Sequence, residues 1–402
     1  MALILTRSPF FVSRGSLDDG ASLVVEIGDY DGSGFNVEKT YTFNYRNAYL
    51  IDVAPFIDDY LSDTFSWVSS GYQSDRGNNY LKYVRTTLSG EVSGVAQADV
   101  VNEYFASKGY LYSTDEYNED LTQKLVDDCY YAGSSDVIYK LDDSQLRFPL
   151  MSTDQTLIAG DTGRSVDITY KNNGEVVKSI TENFLSNSSS SNYTFREEFQ
   201  AFGLYDSYER RVKGTGGVIE DSKCLQDFFD DREIFDYDEI VLGANGTNKV
   251  IKVNTVSACK YKPYRATFLN KYGAEEDLWF FKRSDVSMSV QKETFRPSSI
   301  GRYNASTGFN LNTPAVKTYA DFNINARESI RLNTDWVDEK LNESVKQMML
   351  SDYIRLWDFE DDKIYHVNIK STDLRFKTHV NDKLINYEIE FDFAHEVINN
   401  VG

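Results

Sequence analysis

Histidine and cysteine are scarce in this chain of 402 residues, with three of each, and proline occurs only six times. Cys129, Cys224 and Cys259 are widely spaced and odd in number, which argues against a disulfide framework or a zinc knuckle. Buried free thiols are the expectation. Basic charge is also in deficit: 42 Lys and Arg face 63 Asp and Glu, a formal net charge of -21. A field of that sign repels phosphate backbones and anionic lipid surfaces, so nucleic acid is not an expected partner. No stretch approaches the roughly 18 apolar residues of a membrane-spanning helix, so no membrane span is expected. The opening Met1 to Ser8 lacks the basic start and long apolar core of a secretion signal, which points to synthesis and folding in a cytoplasm.

Reaction motifs are missing as well. Lys213-Gly214-Thr215-Gly216-Gly217 has glycines without the spacing that cradles phosphates, and Gly32-Ser33-Gly34 is not preceded by the glycine of a nucleophile elbow. His366, His379 and His395 all fall in the final strands, where antiparallel pairing can gather them around a divalent metal; the spacing of a zinc motif is absent, and solvated or hydrogen-bonded histidines are the stronger account. Asp29, Asp31, Ser33 and Gly34 imitate the start of a calcium loop, but its twelfth position is Thr40 instead of glutamate. Adjacent acids such as Asp58/Asp59, Asp230/Asp231 and Asp361/Asp362 suit a glycosidase in principle, yet a chain this acidic produces such pairs on its solvated surface. The expectation is therefore no enzyme, with no catalytic residue, cofactor or metal.

What the chain has in abundance is aromatic: 25 Phe and 28 Tyr, side chains that suit pleated, half-buried surfaces and interfaces. Tyr41, Phe43 and Tyr45 alternate with Thr42 and Asn44, the period of a half-buried strand. Asp52 and Pro55 open a short amphipathic helix containing Phe56, Ile57, Tyr60 and Leu61. Strands are expected over Tyr80–Leu88 and, ending in a polar turn, over Gly109–Asn118. Ser165–Tyr170 and Glu175–Ile180 flank Asn173-Gly174, and Ile240–Leu242 and Val250–Val253 flank Asn245-Gly246; each is a hairpin, because Asn-Gly supplies the positive φ angles of a primed turn. Leu185–Asn192 reads as a polar loop. Further on, Arg265–Leu269 and Asp277–Phe281 form a hairpin around Asn270–Gly273, and Val286, Met288 and Val290 extend the sheet. Thr334 and Asp335 cap a helix with Val337, Leu341, Val345, Met348 and Met349 along one stripe. Strands follow over Lys363–Lys370, Leu374–Thr378 and Tyr387–Ala394.

These patterns predict a mainly β protein: two β-sandwich-like modules, 1–135 and 136–258, then an α+β or sandwich module, 259–402, carrying one amphipathic helix over 335–350. The first two modules share a faint plan of strand, glycine turn, strand and acidic apolar segment, Phe56 to Leu61 in one and Leu225 to Phe235 in the other. Tyr110, Tyr112 and Tyr117, beside Asp115 and Asn118, are the candidate site. They can stack on sugar rings, but a tyrosine-rich loop packed against its own domain or a neighbouring subunit is the stronger reading.

Three places give the chain a resemblance. Leu5-Thr6-Arg7-Ser8-Pro9-Phe10-Phe11-Val12 leads into strand Leu23–Ile27; Phe268-Leu269-Asn270-Lys271-Tyr272-Gly273 forms a turn; and Leu350-Ser351-Asp352 precedes strands that close on Asn386–Phe391. In this texture the chain resembles virion structural proteins of tailed bacteriophages, of the tail-tip, baseplate or tail-hub type from phages that infect Bacteroidetes. The resemblance carries no functional residue across. It implies β-sandwich modules that assemble as a homo-oligomeric ring with other virion proteins, located in the virion tail after assembly in the host cytoplasm. The expected function is a structural subunit of a phage tail or baseplate. A glycan- or receptor-binding adhesin acting on a host surface glycan is the first alternative, and a polysaccharide-degrading enzyme the second.

Overall fold

A computed structural model describes residues 3–28, 35–43, 50–61, 81–115, 124–126, 129–141, 150–152, 165–183, 199–200, 211–213, 219–221, 236–244, 247–257, 260–296, 303–304, 306, 308–309, 319–358, 363–371 and 384–397. The fold is mainly β, and the described residues include two short α-helices, Ala54–Asp58 and Asn342–Met349. Three large sheets succeed one another along the chain.

The first sheet runs in the spatial order Leu3–Leu5, Val100–Ser107, Leu81–Ser89, Ser22–Gly28, Val37–Thr42. Leu3–Leu5 is parallel to Val100–Ser107, and the other neighbours are antiparallel. Alternation places Leu23, Val25 and Ile27 in the core. A two-stranded ribbon, Phe11–Ser13 with Leu50–Asp52, and the helix Ala54–Asp58 contribute Val12, Ile51 and Ile57 to the same core. Asp52 opens this helix by accepting from the Ala54 amide at 3.1 Å, and it also holds the Phe10 amide at 2.9 Å.

The second sheet runs Val137–Leu141, Thr247–Val256, Glu239–Ala244, Ser165–Asn172, Glu175–Asn183. Its first strand is again parallel to its last, and the other neighbours are antiparallel. Read as first, fifth, fourth, second and third strand, the order and directions repeat those of the first sheet. The faint plan in the sequence is thus a repeated topology, although Leu225–Phe235, like Leu185–Asn192, lies outside the described residues. A small four-stranded sheet packs its strand Lys124–Val126 across Glu239–Ala244 and Thr247–Val256. The hairpin at Asn173-Gly174 has φ of 51° and 85°, the positive pair a primed turn requires. The strands flanking Asn245-Gly246 pair as expected, with the turn residues themselves outside the described set.

The third sheet has seven antiparallel strands: Glu275–Phe280, Tyr264–Leu269, Ile354–Asp358, Lys363–Ile369, Glu388–Phe393, Ala320–Asn333 and Asp285–Phe295. The helix Asn342–Met349 adds Val345 and Met348 to a core shared with Phe268, Phe280, Leu356 and Phe391, so this unit is α+β.

Several expectations are corrected. The α-helix begins at Asn342 and not at 335, because tertiary pairing captures the preceding residues. The Thr334 hydroxyl accepts from the Tyr387 amide at 2.9 Å, Asp335 turns the chain with φ of 71°, and Val337–Asp338 pairs with Leu384–Ile385. Asp338, rather than Thr334 or Asp335, caps the following 3-10 turn through the Lys340 amide. Residues 109–115 are not a strand: the segment leaves the sheet after Ser107, and the Tyr112 amide donates to Asp115 at 2.7 Å in a side-chain turn. The expected strand over Leu374–Thr378 lies outside the described residues.

Candidate functional site

The first sheet uses both faces. Ile4 points into its own core, while Leu3 and Leu5, on the opposite side of the same strand, pack with Phe105, Ala132 and Ala274. The chain then continues the parallel pairing past the strand, with the Thr6 amide donating to Ser107 at 2.9 Å and the Arg7 amide to Gly109 at 3.0 Å. This brings Arg7 against the end of the helix Asn342–Met349, while the partner strand runs on through Ser107–Tyr110 to the turn 270–273. Parts of the three places that carry the resemblance, Leu5–Arg7, 268–273 and 350–352, meet at a joint between the first and third sheets, while Val12 and Leu23–Ile27 lie in the first sheet's own core and Asn386–Phe391 in the third sheet.

Backbone approach sets its geometry. The Tyr110 amide donates to the Lys271 carbonyl at 2.8 Å, and the Ser107 hydroxyl donates to the Tyr272 carbonyl at the same distance. Asn270 shapes the turn, its side-chain Oδ1 accepting from the Tyr272 and Ala274 amides at 3.0 and 3.1 Å. The Lys271 amide donates to Gln347 of the helix at 2.9 Å.

Side chains complete the joint with near-balanced charge. Arg7 reaches the Leu350 carbonyl at 3.0 Å and Asp352 at 2.8 Å. Leu350 closes the helix, so the guanidinium sits at the negative end of its dipole. Arg7 also lies over the Tyr110 ring, 5.0 Å from its centre, and Tyr110 meets Tyr112 edge to face. Tyr112 donates to Glu343 at 2.6 Å, Lys346 lies 3.4 Å from the Tyr112 ring centre, and Lys271 pairs with Asp115 at 2.9 Å. Burial pushes the Tyr110 hydroxyl up to about 12, and burial with the bond to Glu343 drives Tyr112 far above the ordinary tyrosine range. Both therefore stay neutral. At Glu343 burial acts upward, but the hydrogen bonds from Gln347 and Tyr112 and the nearby Lys346 outweigh it and leave the carboxyl below its usual value.

A second set of contacts ties in the start of the second sheet. Glu276 accepts from the Ser134 amide at 3.0 Å, the Ser134 hydroxyl, Asn270 at 3.1 Å and the Ser344 hydroxyl at 3.1 Å. Asn270 also donates to the Ala132 carbonyl at 2.7 Å. Burial is the largest influence on Glu276 and raises its carboxyl above the ordinary value despite these donors. The adjoining cavity, lined in part by Tyr131, Leu278 and Val337, has about 20 Å³, on the order of one water rather than the ~300 Å³ of a ligand pocket.

Among the candidate residues, Tyr110 and Tyr112 come together here. Tyr110 is buried, with Arg7 on its ring, and Tyr112 is half-buried under Lys346. Tyr117 lies outside the described residues. Of the histidines, His366 meets Tyr353 and His395 stacks on Tyr365, while His379 is outside the described set. Among the described residues no group of three or more His, Cys, Asp or Glu is placed to hold a metal, and no helix is long and apolar enough to cross a membrane. Asp58 accepts from the Thr6 hydroxyl at 2.6 Å; Asp230/Asp231 and Asp361/Asp362 are outside the described residues.

Sequence reading missed Glu276, Ser134, Ser344 and Gln347. A signal existed for the first: Glu276 is in phase with Leu278 and Phe280, an acid on the apolar face of a strand. Comparison with protein-family models, with curated proteins and with solved structures finds no match for the chain.

Proposed function

We propose that this chain is a structural subunit of a bacteriophage tail or baseplate and works by oligomeric assembly. The observation that carries the reading is the joint: parts of all three places of resemblance meet there, and its polar side chains hold sheets in fixed relation. Glu276 connects the helix, the turn and the entry to the second sheet, while Arg7 and Tyr112 connect the first sheet to the helix. A block held this way keeps its outer surfaces at set angles, which closed assemblies require of every copy.

Tyr110 and Tyr112 do not add support to the adhesin reading, since Arg7 and Lys346 occupy their rings. Imaging of the purified chain and of the intact source particle tests the proposal. The expected result is a ring-like multimer in solution or a ring of this chain in the tail; a strict monomer that enters no particle overturns it.

A further inference from the structure

The core face of the third sheet does not stop where its cover stops. On the strand Ala320–Asn333, Ile330 is 1% exposed, yet its cross-strand neighbour Val286 is 60% exposed. Met288 and Val290 continue the same face outward, opposite Glu328 and Ala326, and are 57% and 48% exposed. All eleven residues of Asp285–Phe295 are exposed, and among the described residues this strand pairs on one side only, with Ala320–Asn333. The bulge in that pairing puts its extra residue on the inner strand, where Asn323 has φ of 48°, so the outer strand stays regular.

We infer that Asp285–Phe295 is a contact between two copies of this chain, made by antiparallel pairing of the strand with itself across Val290. This deepens the assembly reading above and rests on it. Charge is compatible with this occupant. A second copy brings a net charge of -21 with it, and residues 285–296 are neutral, with Asp285 and Glu293 offset by Lys292 and Arg296. Two copies therefore meet here with little of the repulsion that opposes contact elsewhere. Register gives the same answer. The alignment that pairs all eleven residues is centred on Val290; it sets Lys292 opposite Met288, Glu293 opposite Ser287 and Asp285 opposite Phe295. No like charges face one another. A shift to a centre at Ser289 sets Asp285 against Glu293, which is destabilising.

Magnitude limits what the contact does alone. Eleven residues at about 3.4 Å each run about 37 Å, and a sheet edge about 10 Å thick over that length covers about 370 Å² per partner. A standard interface covers about 800 Å² per partner, so the isolated pair is weak and concentration-dependent. A two-fold contact also closes on itself, so it joins copies in pairs, and a ring needs a further head-to-tail surface.

The test uses the full chain. Val290→Cys places two thiols across the symmetry axis with Cα atoms about 4.5–5.5 Å apart, within disulfide reach. Val286→Cys leaves its thiols about 27 Å apart in that register. Under mild oxidant, Val290→Cys is expected to form a covalent dimer that wild type and Val286→Cys do not. Sedimentation of Val286→Lys/Met288→Lys/Val290→Lys is expected to show pairwise association weakened about tenfold or more, with circular dichroism confirming an intact fold. Multimers that ignore both changes overturn this inference and leave the assembly reading standing. A chain that is monomeric at every concentration and enters no particle removes both. A monomer that engages a different protein through this strand overturns the self-pairing.

Discussion

Gly109 and Gly273 meet backbone to backbone across the joint: a Cβ on Gly273 comes within 3.0 Å of the Gly109 nitrogen, and one on Gly109 within 2.5 Å of the Lys271 carbonyl oxygen. Gly273 also has φ of 76°, a conformation that costs other residues about 1–2 kcal/mol. Gly109→Ala is expected to destabilise by about 2–4 kcal/mol, since both colliding backbones are pinned. Gly273→Ala is expected to cost about 1–3 kcal/mol, combining strain with a tight contact. Because both act on one contact, the double variant is expected to lose less than the sum. Urea unfolding of the four proteins checks this; strict additivity counts against a shared joint.

Glu276 makes the joint sensitive to pH. Its folded carboxyl lies above the unfolded value, so the folded state binds the proton more tightly. Its contribution is fully present below the ordinary glutamate range and is lost as pH rises through the raised value. Glu276→Gln can keep the partners: an amide oxygen takes the Ser134 and Asn270 N–H donors, and the amide nitrogen donates to the two serine hydroxyls. Its stability relative to wild type is expected to rise as pH increases upward from the ordinary glutamate range. Glu276→Ala strands those donors and is expected to cost about 2–4 kcal/mol. Melting curves across that range decide; parallel wild-type and Gln profiles refute the assignment.

Arg7 has three partners of unequal value. Asp352 is 66% exposed on its side chain, so the ion pair is screened, and Asp352→Asn is expected to change stability by less than about 0.5 kcal/mol. The Tyr110 ring is the enclosed contact, and the Leu350 carbonyl adds the interaction with the helix end. Arg7→Met is accordingly expected to cost about 1–2 kcal/mol. Equal losses for the two variants contradict this ranking.

Tyr112→Phe removes the hydrogen bond to Glu343 while leaving the ring under Lys346. A loss of about 1–2 kcal/mol is expected. In Tyr112→Phe the Glu343 carboxyl loses a donor and its value is expected to move up, which carboxyl-resolved NMR titration reads directly.

Local pattern reached far in this chain. The alternation of Tyr41 and Phe43 with Thr42, together with Asn173-Gly174, specified a strand, its face and one turn, because a period of two and a positive-φ dipeptide need nothing beyond neighbouring residues. The stripe Leu341, Val345 and Met348 likewise announced its helix. What local pattern could not decide was who pairs with whom. Residues 335–338 had caps and apolar spacing for a helix, and Leu384–Ile385 took them as a strand. Val286, Met288 and Val290 had the spacing of a buried face and ended outside the covered core.

Composition and short-range pattern alone determined that the protein is β-rich and acidic, and where strands such as Leu81–Ser89, Ser165–Asn172 and Tyr264–Leu269 lie, while Val100–Ser107, Ala320–Asn333 and Ile354–Asp358 went unread. Only the tertiary structure decided that two five-stranded sheets share one topology, that the half-buried Glu276 is the tie between sheets, and that Tyr110 and Tyr112 belong to a joint inside the chain. The physical reason is separation: Arg7 and Leu350, or Ser134 and Ser344, become neighbours only after the chain has closed loops of hundreds of residues. That choice depends on the summed packing of all the sheets, which no window of sequence contains.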